Sequence, residues 1–577
     1  MIRPSVMLAT PLFMLAAIAP PAVAEGSITR TTPPESAVDA VFKRYDNKDT
    51  PGCSVAVIDG GKVLLKKSYG MADPSLGVPR TSATSHWIPY SEARVFVALA
   101  VAMLARDGKI SLDDPIRKHI PQVPAYAAAV TVRQLLHHTS GLADYGVLDP
   151  GFDSMWSRVS EDEMFRVLNR WNKLGFAPGA AKMYSNTDYA LLELLVARVG
   201  GGSLHDYLHG KVLAPLGMAN TRIGANQVTI ASSHALFYEP DGGGFQRVFP
   251  YRTSPVGGIS VTTSLDDLVR WDAALRDPSS GLASMLKQLE TGAGAPDADA
   301  EPGSEGYPFG VFRRTYRGLP LVEYHGVGDY TYLVQVAGTP LSIATLCNAY
   351  PGMDRFGAEV ARLYAAPPAT ATTATQPVVA TTTPPITVGP AIKVPDSELQ
   401  RYVGEYRSAA GQVFDITNTN DALVFTPRGR SAMPPLLPVG GGRFRTDMGG
   451  STYLLTFKDD GGDMVMSAWD VTANESGGED LRRRTLPAWA NATALTAYVG
   501  TYVGDDVDAT MHVRVEGDRV LMATRGRPES AMAPEGTPDR FGKWNIYMPR
   551  FERDASGRVV ALVLDATRVK GMRYTKK

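Results

Sequence analysis

The chain has 577 residues and a formal net charge of −1. This length exceeds what one ordinary hydrophobic core organises, so several domains are predicted. Charges of both signs are scattered and form no Lys/Arg block, which argues against nucleic acid or an anionic membrane surface as partner. Small molecules, short peptides or protein surfaces remain as the expected partners.

Residues 1–24 are predicted to be a secretory signal peptide. One cation, Arg3, precedes an apolar run at 6–18, and the small residues Ala22-Val23-Ala24 predict cleavage before Glu25. The apolar run is too short to span a bilayer comfortably, and no later stretch approaches the ~20 apolar residues of a transmembrane helix. We therefore expect an exported protein, periplasmic or extracellular, without a membrane span.

Residues 25–365 alternate strands with long helices. Two alternating apolar runs flank Asp59-Gly60-Gly61, a hairpin signal, and three further strands are expected within 319–350. Apolar helices with capping signals are expected between them: 95–106, 187–200 with Gly200 as its stop, and a helix after Ser264 as N-cap. Strands at both ends predict an α+β domain, in which an antiparallel sheet is closed by the two termini and covered by helices.

The composition changes after this segment. Residues 366–393 are rich in Pro, Thr and Ala and lack periodicity, which is typical of an extended linker. Beyond it, "LQRYVGEY" from Leu399 recurs as "LTAYVGTY" from Leu495. Short alternating strands between Gly/Asp turns in each copy predict two small β-barrels or sandwiches, at 394–488 and 489–577.

The tetrad Ser91-Glu92-Ala93-Arg94 precedes a run that is apolar on every face, so its helix should be buried. A serine at such a helix N-terminus is either an ordinary N-cap or a nucleophile with N–H groups nearby for an oxyanion. Arg94 falls on the same face as Ser91. Arginine keeps its proton, so it cannot act as the base that a lysine at this spacing would be.

Two further segments carry residues suited to acyl transfer. Tyr184 and Asn186 precede a helix, and a permanent cation at Arg94 would favour Tyr184 as base, with Asn186 orienting the serine or a substrate amide. A polar turn that caps the helix is the simpler alternative. His325 is followed by glycines that allow backbone N–H groups to approach a ligand, although a hairpin turn would explain the same pattern.

The two cysteines, Cys53 and Cys347, lie in apolar, strand-like runs. Export permits a disulfide, but cysteine is among the most often buried residues, so the residue pattern favours two buried free thiols. No Cys/His cluster has the spacing of metal ligands, and no cofactor is expected.

Taken in order, several segments resemble the serine β-lactamase-like family, which includes class C β-lactamases, esterases, DD-peptidases and D-aminopeptidases. The segments that carry the resemblance are "DGKISLDDPI", "LLHHTSGL" from Leu135, "PGAAKMYSNTDYALL" from Pro178, "LAPLGMANT" from Leu213 and "GGISVTTSLDDL" from Gly257. They cover nearly all of 25–365 and imply a β-lactamase/transpeptidase-like fold. The tail resembles the accessory β-barrels of D-aminopeptidases.

The resemblance implies a role for each candidate residue. Ser91 would be the acylated nucleophile, and Arg94 stands in the lysine position. The Tyr-x-Asn pair would be Tyr184 and Asn186, and His325 heads the third motif. The oxyanion donors would be the backbone N–H groups of Ser91 and Gly328. Gly326 and Val327 adjoin Gly328 in the same motif and would lie beside the substrate.

Two departures from the family pattern bear on activity. Arg94 replaces the lysine, and Val327 replaces a glycine, which should narrow the substrate groove. We therefore expect a slow or unusual hydrolase of a small ester, amide or D-amino-acid peptide, and not an efficient β-lactamase. A catalytically impaired protein that binds peptides or cell-wall fragments is the alternative. The family fold also makes the first and last strands of the sheet neighbours, so Cys53 and Cys347 could meet in a disulfide.

Overall fold

The computed structural model forms three successive domains. It describes the following residues: 28–88, 94–148, 159–223, 234–241, 244–248, 261–289, 311–325, 331–349, 356–366, 390–407, 413–419, 422–427, 435–448, 451–460, 463–470, 475–476, 480–483, 490–517, 519–525, 527–532, 534, 537–542, 544, 547–566 and 568–577. Most of the predicted linker, 366–393, and the predicted signal peptide lie outside these residues. No described helix has the length and apolar character needed to cross a bilayer.

The N-terminal domain mixes helices and strands. Its helices are α1 Glu35–Phe42, α2 Arg94–Arg106, α3 Val132–Leu136, α4 Tyr145–Leu148, α5 Glu161–Trp171, α6 Asn186–Gly200, α7 Leu204–Leu208, α8 Leu265–Arg276, α9 Leu282–Leu289 and α10 Phe356–Tyr364. Its strands are β1 Thr29–Arg30, β2 Cys53–Asp59, β3 Lys62–Tyr69, β4 Met71–Asp73, β5 Val78–Pro79, β6 His86–Ile88, β7 Arg222–Ile223, β8 Phe237–Asp241, β9 Gly244–Val248, β10 Val261–Thr263, β11 Val311–Tyr316, β12 Leu319–His325, β13 Thr331–Val336, β14 Leu341–Cys347 and β15 Ala365–Ala366.

A six-stranded antiparallel sheet in the order β11-β12-β13-β14-β2-β3 forms the centre of this domain. The β2–β3 hairpin turns at Gly60 and Gly61, whose φ angles of +56° and +83° suit the paired strands' twist. Strand β2 from the N-terminal end pairs with β14 from the C-terminal end, which confirms the predicted α+β sheet closed by its two ends. Helices cover both faces, with α1 and α10 on one side and α2 and α8 on the other.

Helix α2 is surrounded by other elements. Every side chain from Arg94 to Leu104 is buried, as the apolar pattern predicted. Helix α8 begins where expected, because Ser264 Oγ accepts the backbone N–H of Asp267 at 3.3 Å. Helix α6 ends at Gly200, the last residue of the predicted range, but the residue that stops it is Gly201, which takes the left-handed conformation at φ +82°.

The first barrel-like domain contains helix α11 and nine strands. Its elements are α11 Asp396–Leu399, β16 Gly404–Arg407, β17 Val413–Thr419, β18 Ala422–Pro427, β19 Leu437–Gly440, β20 Arg443–Met448, β21 Ser451–Asp460, β22 Asp463–Asp470, β23 Glu475–Ser476 and β24 Leu481–Arg483. The sheet runs from β18 to β19, and a bridge between Leu423 and Leu436 brings these two edges together. The sheet is therefore nearly closed.

The second barrel-like domain has seven strands in the order β28-β27-β26-β25-β31-β30-β29. Its elements are α12 Ala492–Leu495, β25 Gly500–Gly504, β26 Thr510–Glu516, β27 Arg519–Thr524, β28 Arg527–Met532, β29 Tyr547–Arg553, β30 Val559–Ala566 and β31 Val569–Lys576. The sequence repeat has a structural counterpart: Tyr406 Oη donates to Tyr402 O at 3.0 Å, and Tyr502 Oη donates to Tyr498 O at 2.7 Å.

The second barrel-like domain packs against the N-terminal domain, and buried apolar side chains of both form one continuous core. Tyr547 Oη donates to Val147 O at 3.0 Å from a fully buried position. Around this contact, ion pairs join helix α5 and its end to the second barrel-like domain: Arg166 to Asp508 at 2.7 Å, and Lys173 to Asp506 at 3.0 Å.

Cys53 and Cys347 lie opposite each other on β2 and β14 and are joined by a disulfide. The pairing that the family fold suggested is thus present, in place of the two free thiols that the residue pattern favoured. The positions are 294 residues apart in the chain, so the bond ties the two ends of the domain together.

We predict that the denatured, unreduced protein contains no titratable thiol and that reduction exposes two. Replacing both cysteines by alanine should lower the free energy of unfolding by about 2 to 4 kcal/mol. Without the bond the unfolded chain is no longer closed into a long loop, so its conformational entropy rises. Two free thiols before reduction would show that the bond does not form in the purified protein.

A second prediction concerns acid stability. Burial is the main cause that lowers the pKa of five histidines in the N-terminal domain: His86, His137, His138, His205 and His234. For His137 the pKa is lowered to about 4. These side chains stay neutral in the folded protein and take up protons on unfolding below their ordinary value of 6.5. Their contribution to stability is thus present above pH 6.5 and lost as the pH falls towards the folded values.

From pH 7 to pH 5 the free energy of unfolding should fall by about 1 to 2 kcal/mol for each fully excluded proton. Urea unfolding at the two pH values measures this change. A His138→Gln variant should show a shallower dependence, because its side chain takes up no proton. Equal or greater stability of the unaltered protein at pH 5 would contradict the prediction.

Candidate active site

Arg94 is the centre of a buried cluster of polar side chains. It is the first residue of α2, and it is 1% exposed. Its Nη2 atom donates to Tyr184 Oη at 2.5 Å and to Asn186 Oδ1 at 2.9 Å. The structure therefore brings together three of the predicted site residues, and the permanent charge of Arg94 acts directly on the other two.

Aromatic rings surround the Arg94 guanidinium. Its carbon lies 4.3 Å from the centroid of the Tyr184 ring and 4.5 Å from that of Tyr189. Tyr189 Oη points elsewhere and donates to Leu136 O at 3.2 Å. The ring faces offer favourable electrostatics to a cation that has left water, which helps to hold Arg94 in the interior.

Asp144 fixes Asn186 at the start of α6. Its Oδ2 atom accepts the backbone N–H of Asn186 at 3.3 Å and the side-chain Nδ2 at 2.9 Å. The amide oxygen of Asn186 therefore faces Arg94. The expected alternative, a polar turn that caps the helix, applies in part: Ser185 makes no capping bond with its side chain, and the fully buried Asp144 serves the helix start instead.

His138 and Asp188 also belong to the cluster and were not predicted. His138 Nε2 is 3.3 Å from Arg94 Nη1, and its Nδ1 is 2.9 Å from Asp188 Oδ2. Burial, and then the charge of Arg94, hold the pKa of His138 well below its usual range, while burial raises the pKa of Asp188. Both directions favour the neutral side chains, so Arg94 stays the dominant charge of this part of the cluster.

A tight turn after α3 presents His138 to the cluster. His138 has a left-handed φ of +57°, and Gly141 has a φ of +75°. A Cβ at Gly141 would lie 2.2 Å from Phe176 O, so only glycine fits. Within this turn Ser140 Oγ donates to Asp188 Oδ1 at 2.5 Å. The segment "LLHHTSGL" was one of the marks of the resemblance, so a signal for His138 was present although no chemistry was assigned to it.

One cluster residue comes from the second barrel-like domain. Arg568, between β30 and β31, donates from Nη1 to Asp144 Oδ2 at 3.2 Å. Its guanidinium carbon lies 4.1 Å from the centroid of the Tyr184 ring. Nothing in the local sequence around Arg568 indicates this role, because only the packing of two distant domains creates it.

The other predicted residues are placed only in part. His325 is the last residue of β12, where its backbone pairs with Thr331. Ser91, Gly326, Val327 and Gly328 lie outside the described residues, so their roles stay predictions. Within the described part of the chain, no group of three or more His, Cys, Asp or Glu side chains is arranged to hold a metal ion.

Comparison with known sequences gives a family. The family model described as Beta-lactamase matches residues 38–366. Protein flp of Staphylococcus aureus (strain NCTC 8325 / PS 47) is 29% identical over 265 residues, which cover 43% of this chain and 51% of that protein. Penicillin-binding protein 4* of Bacillus subtilis (strain 168) is 30% identical over 187 residues, covering 32% and 41%. The chain thus spans about half or less of the length of these relatives.

Comparison with solved structures gives matches at lower sequence identity. The octameric penicillin-binding protein homologue from Pyrococcus abyssi has a TM-score of 0.49 and 24% identity, covering 78% of this chain and 99% of that one. The D-amino acid amidase from Ochrobactrum anthropi SV3 has a TM-score of 0.44 and 21% identity, covering 55% and 92%. Since the family model matches more than half of the 577 residues, the protein belongs to the β-lactamase family of serine hydrolases and has its α+β fold, followed by two barrel-like domains.

Proposed function

We propose that this protein is an exported serine hydrolase that transfers an acyl group to Ser91 from a small ester, amide or D-amino-acid-containing peptide. The observation that carries the proposal is the pair of hydrogen bonds from Arg94 Nη2 to Tyr184 Oη and Asn186 Oδ1. It places a fixed cation against the oxygen that would act as base. The predicted signal peptide supports the proposed export to the periplasm or the medium.

In the proposed reaction Ser91 Oγ attacks the substrate carbonyl carbon while its proton passes to Tyr184 Oη. Arg94 stabilises the negative charge that Tyr184 carries before it accepts this proton, and it cannot take the proton itself. The backbone N–H groups of Ser91 and Gly328 stabilise the oxyanion. Expulsion of the alcohol or amine, which receives the proton from Tyr184, leaves an acyl-enzyme that water then hydrolyses.

Asn186 has a positioning role in this scheme. Its oxygen is held by Arg94 and one N–H by Asp144. An amide group has a second N–H, which can donate to a substrate carbonyl. Because both ends of the side chain are already anchored, this N–H has a fixed direction before substrate arrives, which limits the entropy lost on binding.

The proposed hydrolase is slow or unusual and is not an efficient β-lactamase. Arg94 stands in the position of the lysine base, and Val327 stands in that of a glycine, a change expected from the sequence to narrow the substrate groove. Loss of one general base typically costs about 10² to 10⁴ in rate. The same two residues favour the alternative proposal, in which the pocket binds peptides or cell-wall fragments without turnover.

Covalent labelling of Ser91 distinguishes the two proposals. The protein is incubated separately with an activated ester, a β-lactam and a fluorophosphonate, and the intact mass and peptide masses are then measured. We expect an adduct on Ser91 with the ester or the fluorophosphonate, absent from Ser91→Ala. No adduct with any of the three reagents would contradict the hydrolase and favour the binding protein.

Tyr184→Phe tests the base. The change removes Oη and retains the ring over Arg94, so the rate of Ser91 acylation by the activated ester should fall about 10² to 10⁴-fold. Tyr189→Phe is the matched control: it also removes one hydroxyl from a ring that faces the Arg94 guanidinium, but that hydroxyl donates to Leu136 O. Equal rates in Tyr184→Phe and Tyr189→Phe would show that Tyr184 is not the base.

A further inference from the structure

Arg568 reaches the candidate site from the second barrel-like domain, where it pairs with the fully buried carboxylate of Asp144. The domains are already joined through Tyr547 and the ion pairs of Arg166 and Lys173. Asp144 already accepts the N–H of Gly146 at 3.0 Å on Oδ1 and both donors of Asn186 on Oδ2. These donors to Asp144 are neutral, so Arg568 balances the charge of the buried carboxylate, and this structural role uses one of its five N–H donors.

The Arg568 guanidinium keeps donor capacity beside Tyr184. Its side chain is 31% exposed, whereas Asp144 is fully buried. Among the described residues its hydrogen-bond partner is Asp144, which occupies one of five N–H donors. A guanidinium edge with two parallel N–H groups binds a carboxylate in a bidentate manner. The Arg568 guanidinium lies over the Tyr184 ring, which is itself half-buried.

The described site is also positively charged. Arg94, Arg568 and Lys182 are close enough that each lowers the pKa of His138, after burial as the main cause. Asp144 balances the charge of Arg568, and burial raises the pKa of Asp188, which favours its neutral form and leaves the charge of Arg94 in excess among these groups. A partly enclosed site with an excess of one sign attracts ligands of the opposite sign.

We propose that Arg568 is a specificity-determining residue that binds a carboxylate of the substrate, so that the second barrel-like domain completes the active site. The proposal rests on the proposed function and names its substrate class: acyl compounds that carry a free carboxylate near the scissile carbonyl. Arg568 makes no contact with the bond that breaks and changes only which substrates are held beside Tyr184.

The test compares two activated esters that differ only in their far end. p-Nitrophenyl hexanoate ends in a methyl group, and the mono-p-nitrophenyl ester of adipic acid ends in a carboxylate at the same distance. The full-length protein should have a higher kcat/KM for the adipate ester. Arg568→Gln should lower the adipate-to-hexanoate ratio of kcat/KM about 10- to 100-fold, and Arg568→Lys should restore part of it.

Two control variants separate charge and domain contact from the proposed role. Lys570→Gln removes the same charge from an exposed residue two positions further on, and Lys173→Gln removes an ion pair between the domains without touching the site. Both should keep the ratio of the unaltered protein. If Lys570→Gln lowered the adipate-to-hexanoate ratio as much as Arg568→Gln does, the effect would be one of general charge, and the proposal would be overturned.

The remaining outcomes also decide it. No preference for the adipate ester, or an equal fall for both esters in Arg568→Gln, would overturn the role of Arg568 while leaving the hydrolase intact. If neither ester is hydrolysed, the proposed hydrolase fails, and calorimetric binding of adipic acid monoamide and hexanamide tests Arg568 separately. Tighter binding of the monoamide that Arg568→Gln abolishes would support the carboxylate site, and equal binding of the two amides would overturn it.

Discussion

The candidate site depends on one buried cation. Arg94 lies at the start of a helix that is surrounded by apolar side chains, where a charge is costly unless its neighbours compensate for it. Tyr184, Asn186 and His138 offer it oxygen and nitrogen atoms at 2.5 to 3.3 Å, and two aromatic rings face it. A lysine at this position could lose its proton and become neutral, but an arginine cannot, so these surroundings must accommodate a permanent charge.

This constraint links the site to the rest of the molecule. Asn186 faces Arg94 because Asp144 holds its other end, and Asp144 in turn contacts Arg568 of the second barrel-like domain. The chain of contacts therefore runs from the helix that follows the predicted nucleophile, through the start of α6, to a domain near the end of the sequence. The disulfide between β2 and β14 joins two neighbouring strands inside the sheet of the N-terminal domain, one from near each end of the domain's sequence.

Much of the fold could be predicted because local sequence determines it. The glycines of the β2–β3 turn, the all-round apolar α2 and the Ser264 cap each depend on a few neighbouring residues, and the internal repeat predicted two similar all-β domains. The glycine that stops α6 was wrong by one residue, since Gly200 and Gly201 are adjacent and only the backbone conformation distinguishes them. The disulfide needed the pairing of distant strands, which the residue pattern around each cysteine does not contain.

The site was predictable to a similar extent. Arg94, Tyr184 and Asn186 lie in recognisable motifs, and the structure places them in contact. His138 and Asp188 also lie in quoted motifs, but their chemistry depends on burial that composition does not reveal. Arg568 could not be found from sequence, because its place at the site results from contacts between two domains.

In the proposed reaction Arg94 acts on the acylation of Ser91 through Tyr184. A double-mutant cycle on the rate of Ser91 acylation, with Arg94→Gln, Tyr184→Phe and both together, measures this coupling directly. We predict that Arg94→Gln slows acylation in the otherwise unaltered protein and has little further effect in the Tyr184→Phe variant. Equal effects of Arg94→Gln in the two backgrounds would contradict it.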